Sequence, residues 1–268
     1  VAMHISDRPI ILLGCGRLGS ALLEGWLASR AVDPARLIVL TPSAKPAAEA
    51  ARERGARINP STEVLGEAAT LVLAVKPGLW REASGPVVSA LAVDATVVSL
   101  MAGVRAHSLS AVFGTRPIAR VMPTTAVAQG RGVAAIWSDE EGARTVAHAL
   151  FDPVADTVDL AEESLIDAAT AVAGSAPAFI HAYVEALARA GQAAGLDAEA
   201  AGRLARGALR SAGAGAETGA PLSDLIARIA SPGGTTEAGL KAQAAAGLDA
   251  VAMAAVQAAV ARAGELGS

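Results

Sequence analysis

The first half of the chain alternates short apolar runs with amphipathic stretches, and this alternation constrains the fold more than any other feature. Each run is about four to eight residues long, which suits a strand buried on both faces. Stretches with helical periodicity separate the first four runs, as in βαβ units around a parallel sheet. These predicted helices are LGSALLEGWLASR, PAAEAARERG and EASGPVVSALAV. The predicted strands lie in the segments PIILLGCG, RLIVLTP, ATLVLAVKPG, ATVVSLMAG, IARVMPTT and GVAAIWS.

After about Asp159 the strand pattern stops, and alanine-rich stretches at residues 162–195, 197–219 and 244–266 predict long helices. The sequence therefore predicts an α/β protein: a Rossmann domain with a doubly wound sheet over residues 1–160 and an all-α domain over residues 161–268. The predicted helices are apolar around much of their circumference, which indicates burial against a second subunit. The alternative, that alanine is simply small and neutral on a surface, stays open.

The composition excludes several classes of partner. Hydrophobic residues make up 53 % of the chain and aromatic residues 3 %, and the formal charge is −4. Without basic runs or aromatic stacking platforms, nucleic acid is not an expected partner.

The single cysteine, Cys15, fits a reducing cytoplasm. The N-terminus lacks the features of a signal peptide, and the uncharged stretch Ala168–Val184 suits a protein interior better than a membrane. No metal is expected, because the four histidines do not have the spacing of metal ligands. They are His4, His107, His148 and His181.

A glycine fingerprint follows the first predicted strand and opens the first predicted helix. In this context the first two glycines of G-x-G-x-x-G allow a pyrophosphate to approach, and the third lets helix pack on strand. The fingerprint therefore predicts a dinucleotide site, although a glycine turn serving packing alone is the alternative. Its residues are Gly14, Cys15, Gly16, Arg17, Leu18 and Gly19.

The end of the second strand indicates which dinucleotide binds. Thr41, Ser43 and Lys45 follow this strand, and no carboxylate is present to bind a ribose 2′-hydroxyl. Hydroxyls and a lysine suit a 2′-phosphate, so NADP is favoured over NAD, with NADH still possible. Lys45 could equally be a solvated loop residue. Two later strands end at the same sheet edge, which adds Ala74, Val75, Lys76, Pro77, Ala102 and Gly103 as cofactor-binding candidates.

Taken together, these motifs make the chain resemble the pyrroline-5-carboxylate reductase family. The most distinctive match is SPGGTTEAGL, which begins at Ser231 and interrupts the helical half of the chain. The resemblance extends over nearly the whole sequence. Its other parts are the fingerprint, AVKP at Ala74–Pro77, SLMAGV at Ser99–Val104, RVMPTT at Arg120–Thr125 and GSAPAF at Gly174–Phe179.

The resemblance implies NAD(P)H-dependent reduction of the cyclic imine of 1-pyrroline-5-carboxylate to L-proline, the last step of proline biosynthesis. It also implies a homodimer with interlocked C-terminal helices, and some members of the family assemble further into rings of dimers. The catalytic candidates it implies are Thr236, whose hydroxyl would reach the ring nitrogen, with Ser231 and Glu217. The substrate-binding candidates are Met122, Pro123, Gly233, Gly234 and Thr235.

The residues themselves are compatible with this assignment. A glycine-rich turn that opens a helix offers free amides to a carboxylate. Taken alone, Thr235 or Thr236 could be a helix cap and Glu217 a solvated acid. Three departures from the family pattern, at Thr124–Ala126, Ala176 and Arg17, leave the substrate range open.

Three other functions are alternatives to this assignment. A reductase of other cyclic imino acids would use the same residues. A β-hydroxyacid dehydrogenase would need a lysine in the first long helix of the second domain, whereas the lysines are at positions 45, 76 and 241. A non-catalytic NADP-binding regulatory protein would have no use for a substrate carboxylate site.

Overall fold

The computed structural model describes residues 7–267. Within this range eight strands form one sheet in the order β3-β2-β1-β4-β5-β6-β7-β8. Neighbouring strands are parallel except β6 and β7, which are antiparallel. The α/β prediction is thereby confirmed. The strands are β1 (Ile10–Leu13), β2 (Leu37–Leu40), β3 (Arg57–Ile58), β4 (Thr70–Leu73), β5 (Thr96–Ser99), β6 (Ile118–Pro123), β7 (Gly132–Trp137) and β8 (Ala155–Asp159).

Helices cover both faces of the sheet, so the strands are buried on both sides. Successive side chains of β1 point to opposite faces: Ile10 and Leu12 join one hydrophobic core, and Ile11 and Leu13 join the other. This arrangement explains why the strands are continuous apolar runs without a polar alternation. The helices of this region are α1 (Arg17–Ser29), α2 (Pro46–Glu53), α3 (Trp80–Val88), α4 (Ala106–Phe113), α5 (Glu141–Phe151) and α6 (Leu165–Ala169).

Two of the three long helices predicted for the second half are interrupted. The stretch 162–195 contains α6, a π-helical turn at Thr170–Ser175, and α7 (Ala176–Ala193). Pro177 lies in the first turn of α7, where its missing N–H is tolerated. In the stretch 244–266, α10 (Thr235–Ala245) ends before Gly247 (φ +84°), and α11 (Leu248–Leu266) begins after it. The helices between are α8 (Ala198–Ala216) and α9 (Leu222–Ile229).

The chain forms two compact units. One contains the residues up to Gly174 together with those from Ala259 onward, and the other is Ser175–Ala258. The domain boundary expected after residue 160 stays a prediction. By length and composition the helical segment Leu165–Ala193 could cross a membrane, a criterion that core helices of water-soluble proteins also meet.

Many large apolar side chains of the second unit are exposed in the single chain. Leu204 is 61 % exposed, Ile229 is 71 % exposed and Val251 is 66 % exposed. A concentration of large exposed apolar side chains in one unit is typical of a surface that binds a partner. The surface is thus compatible with the intersubunit burial expected from the sequence.

A histidine between two carboxylates ties α5 to the edge strand β8. His148 Nδ1 lies 2.9 Å from Asp152, and Nε2 lies 3.1 Å from Asp159. Burial lowers the pKa of His148, but the hydrogen bonds with Asp152 and Asp159 outweigh this effect and raise the pKa above 6.5. A protonated His148 therefore stabilises the folded state.

We expect this stabilisation to depend on pH. Because the folded-state pKa is raised, the stabilisation is fully present below about pH 6.5 and is lost as the pH rises through the folded pKa. Denaturant unfolding of the wild type and His148→Gln, followed by tryptophan fluorescence between about pH 6 and pH 8, measures the effect. The stability advantage of the wild type should shrink toward alkaline pH. A difference that does not change with pH would contradict this account.

Candidate active site

A cavity of about 430 Å³ lies at the carboxyl edge of the sheet, where β1, β2 and β4 end. Ligands of doubly wound sheets bind at this edge, close to the point where the strand order reverses. The sequence-predicted residues that line the cavity are Gly14, Cys15, Gly16, Thr41, Ser43, Lys45, Ala74, Val75 and Lys76. The structure therefore brings the fingerprint, the loop after β2 and the AVKP segment together.

The three fingerprint glycines have different surroundings. Gly14 has a φ of +100°, and a Cβ there would lie 2.7 Å from the Ala74 carbonyl oxygen. A Cβ on Gly19 would lie 2.1 Å from the carbonyl oxygen of Gly14, so this glycine lets α1 pack on the loop. A Cβ on Gly16 would meet nothing within 4 Å. Packing thus explains Gly14 and Gly19, whereas the open space at Gly16 is available to a ligand.

The N-terminus of α1 faces this space without a capping side chain or an acidic residue in its first turn. Its free amides and the positive end of the helix dipole suit a pyrophosphate. Arg17, the first residue of α1, is exposed, and Leu18 packs against the core beneath.

Two other predicted cofactor residues have a packing role that the sequence did not indicate. Gly103 has a φ of +74°, and a Cβ there would lie 2.3 Å from the carbonyl oxygen of Ala263 near the end of α11. Ala102 packs against the small core that contains Met122. Neither residue is among those lining the cavity, and their contact with a cofactor stays a prediction, as does that of Pro77.

The loop Ser231–Gly234 separates α9 from α10 in the second unit. Gly233 has a φ of +71°, and the Gly234 amide donates to the Ser231 carbonyl at 3.0 Å, which closes a tight turn. Gly234 is the N-cap of α10 and offers no side chain to its first turn. Thr235 is exposed and Thr236 is half-buried. The turn leaves the amides at the start of α10 available to an anion.

Glu237 has a role in this loop that was not predicted. Its Oε2 accepts a hydrogen bond from the Gly233 amide at 2.7 Å, and Oε1 lies 2.9 Å from Lys241 Nζ. The bond with Lys241 and the bond with the Gly233 amide lower the pKa of Glu237. An acidic residue three positions after an N-cap was the available signal, because such residues often reach back to amides before the helix.

Glu217 caps the C-terminus of α8, where its amide donates to the Gly213 carbonyl. Its predicted role as an orienting acid for the 231–236 loop stays a prediction.

The end of β6 carries the other predicted substrate residues. Met122 and Pro123 are buried at the last positions of this strand in the first unit. The next residue, Thr124, accepts a hydrogen bond from the Val133 amide through Oγ1 at 3.1 Å, and its own amide donates to the Val133 carbonyl. The hydroxyl therefore continues the β6–β7 pairing for one more residue.

Comparison with known proteins identifies the family. Residues 163–266 match the family model for pyrroline-5-carboxylate reductase dimerisation. Residues 9–103 match a second family model, described as NADP oxidoreductase coenzyme F420-dependent. The chain is 32 % identical over 268 residues to pyrroline-5-carboxylate reductase of Pseudomonas aeruginosa, covering 98 % of both proteins. The chain belongs to the pyrroline-5-carboxylate reductase family.

Solved structures of pyrroline-5-carboxylate reductases have the same fold. The enzyme of Coxiella burnetii is 26 % identical, with a TM-score of 0.88 over 98 % of this chain and 100 % of that chain. The Plasmodium falciparum enzyme, solved with NADP bound, is 24 % identical, with a TM-score of 0.82 over 99 % of this chain and 100 % of that chain. The similarity to the Plasmodium falciparum enzyme shows only that the fold is the same.

In this member of the pyrroline-5-carboxylate reductase family, an ion pair with a buried arginine joins β6 to the segment between β8 and α6. Arg120 is 1 % exposed and lies 3.0 Å from Glu163. Glu163 Oε1 also accepts from the Ala106 amide at 2.6 Å, and the Arg120 guanidinium donates to the Met101 carbonyl. Burial lowers the pKa of Arg120, and Glu163 opposes this shift. The pair fixes the segment that contains Ala102 and Gly103.

We expect Glu163→Ala to destabilise the first unit by about 3–5 kcal/mol, because it leaves a buried guanidinium without its carboxylate. Glu163→Gln keeps an acceptor for the Ala106 amide and should cost less. The double variant Arg120→Met/Glu163→Met removes both charges and should recover most of the loss. Urea unfolding followed by tryptophan fluorescence measures this, since Trp26, Trp80 and Trp137 all lie in the first unit. Equal stability of Glu163→Ala and the wild type would contradict the account.

Proposed function

We propose that this protein reduces the cyclic imine of 1-pyrroline-5-carboxylate to L-proline with NADPH, the last step of proline biosynthesis. The observation that carries the proposal is the Ser231–Thr236 segment, a glycine turn that opens a helix with uncapped amides. It occurs in a chain that is 32 % identical to the Pseudomonas aeruginosa reductase over 98 % of its length.

The cavity at the sheet edge fits a dinucleotide. The unfilled space at Gly16 and the uncapped N-terminus of α1 suit the pyrophosphate. Ser43 and Lys45 line the same cavity and suit a 2′-phosphate, which favours NADPH while leaving NADH usable. When bound, NADPH supplies a hydride from nicotinamide C4.

The loop after α9 holds the substrate in this proposal. The Gly234 amide is already bonded within the turn, so the Ser231 hydroxyl and the amides of Thr235 and Thr236 bind the carboxylate. Gly233 and Gly234 allow the substrate to come close. The Thr236 hydroxyl contacts the ring nitrogen, and Glu217 orients the loop.

A cyclic imine can bind already protonated, so reduction needs no strong acid from the protein. The imine carbon accepts the hydride, and the electron pair of the C=N bond passes to the nitrogen, which keeps its proton. The contribution of the residues is then to align the imine carbon and to exclude water. Proton transfer by a lysine, as an alcohol dehydrogenase would need, is not part of this chemistry.

The proposed assembly is a homodimer whose C-terminal helices interlock, with a cytoplasmic location. The match of residues 163–266 to a dimerisation domain and the exposed apolar side chains of the second unit support the dimer. The buried, unpaired Cys15 is compatible with a reducing compartment. Further association of dimers into rings stays a prediction that analytical ultracentrifugation tests.

Cofactor oxidation followed spectroscopically with a panel of imines tests the proposal. The panel contains pyrroline-5-carboxylate, a six-membered cyclic imino acid and an acyclic imine. We expect the five-membered substrate to have the highest kcat/KM and NADPH to outperform NADH. Preference for the six-membered ring would identify a reductase of other imino acids. No turnover with any of them, together with tight NADPH binding, would favour the regulatory alternative.

A further inference from the structure

The loop after β2 is held in shape by the side chain of Asn59. Asn59 Oδ1 accepts a hydrogen bond from the Thr41 amide at 2.9 Å, and Nδ2 donates to the Thr41 carbonyl at 2.9 Å. Asn59 directly follows β3, and its own amide donates to the Val39 carbonyl at 2.9 Å. One residue thus makes three hydrogen bonds to the end of β2.

A primary amide carries a donor and an acceptor side by side, as a peptide unit does. Asn59 therefore continues the β2–β3 pairing for one more residue after the backbone of β3 has turned away. The turn requires a φ of +48° at Asn59, a left-handed conformation that asparagine adopts more readily than most residues. Among the described non-glycine residues, only Arg30 and Asn59 have a positive φ.

Thr41, which is held by the hydrogen bonds with Asn59, also bonds to the next part of the loop. Thr41 is 7 % exposed, and its hydroxyl donates to the Ser43 carbonyl at 3.1 Å. That hydroxyl is therefore used within the loop, and the expected contact of Thr41 with a phosphate stays a prediction. Ser43 is exposed and Lys45 half-buried, and both line the cavity. They are the polar groups that the constrained backbone presents to a ligand.

We infer that Asn59 is a positioning residue for selection of NADPH, because its paired hydrogen bonds to Thr41 hold the loop that presents Ser43 and Lys45 to the 2′-phosphate. The inference rests on the proposed use of NADPH. Donors fixed before binding cost less to order when the phosphate arrives. Loss of the bonds lets the loop move and weakens contacts with the 2′-phosphate, while the pyrophosphate site at Gly16 and α1 stays intact.

Calorimetric titration with adenosine 2′,5′-bisphosphate and with 5′-AMP tests the inference without turnover, since the two ligands differ only in the 2′-phosphate. Asn59→Gly accepts the positive φ but removes both hydrogen bonds. Asn59→Asp keeps the acceptor for the Thr41 amide but cannot donate to its carbonyl. We expect both variants to lose about tenfold in affinity for the bisphosphate and to bind 5′-AMP as the wild type does. NADPH/NADH ratios of kcat/KM should fall in parallel.

Arg30→Gly is the matched control, because it changes the other left-handed residue at a site remote from the cavity lining. It should leave both affinities unchanged. If the wild type prefers the bisphosphate and both Asn59 variants keep that preference, the inference is overturned while the proposed function stands. If the Asn59 variants lose affinity equally for both ligands, Asn59 has only a structural role, and this result would also overturn the inference. A wild type without any preference would contradict the proposed use of NADPH, and the inference would fall with it.

Discussion

Thr236→Val should lower kcat for imine reduction by about 10²-fold while leaving the affinity for NADPH unchanged. Valine has the shape of threonine but lacks the hydroxyl that the proposed mechanism directs at the ring nitrogen. Thr236 is the second residue of α10 and not its N-cap, which is Gly234. Removing the hydroxyl therefore takes no cap from the helix, and the fold should be retained.

Thr236→Ser is the matched control, because it keeps the hydroxyl and should recover most of the activity. Single-turnover kinetics with NADPH and pyrroline-5-carboxylate, together with fluorescence titration of NADPH, separate reduction from cofactor binding. Equal loss of turnover and NADPH binding in Thr236→Val would show that the residue is structural. Wild-type turnover in that variant would remove Thr236 from the chemistry altogether.

Gly16→Ala should abolish most NADPH binding without affecting stability. A Cβ at this position meets nothing within 4 Å in the protein, and its backbone (φ −75°, ψ −159°) is one that alanine adopts easily. Only a bound pyrophosphate would meet the added methyl group. Overpacking of close to 3 kcal/mol would lower the affinity by about 100-fold.

Gly19→Ala provides the contrast. Its Cβ would lie 2.1 Å from the Gly14 carbonyl oxygen, so α1 must move and the free protein should be destabilised. Denaturant unfolding and NADPH titration of the two variants distinguish a ligand role from a packing role. If Gly16→Ala binds NADPH as tightly as the wild type, the cofactor does not lie where we place it.

Much of the fold could be predicted because strands buried on both faces are continuous apolar runs. β1, β2, β4, β5, β6 and β7 all fall within the predicted segments. β3 has only two residues, and β8, with the sequence ADTVD, is polar and mostly exposed, so neither has a hydrophobic signal. The helices α4, α5 and α9 are only 8, 11 and 8 residues long and were also missed.

The helix breaks show a second limit of sequence interpretation. A single glycine such as Gly247 is tolerated inside many helices, and its left-handed backbone is visible only in the structure. Side-chain contacts over long sequence separations were equally hidden. Asn59 bonds to Thr41 and Glu163 to Arg120, and neither pair has a spacing that marks it in the sequence. The cavity-lining residues were predictable because motifs at strand ends converge on one sheet edge.

The most direct test of the account is the stoichiometry of the reaction. Purified protein is incubated with pyrroline-5-carboxylate and NADPH, and L-proline is quantified by chiral chromatography against the cofactor consumed. We expect one L-proline to be formed for each NADPH oxidised. NADPH consumption without proline, or no consumption by a protein that binds NADPH, would contradict it.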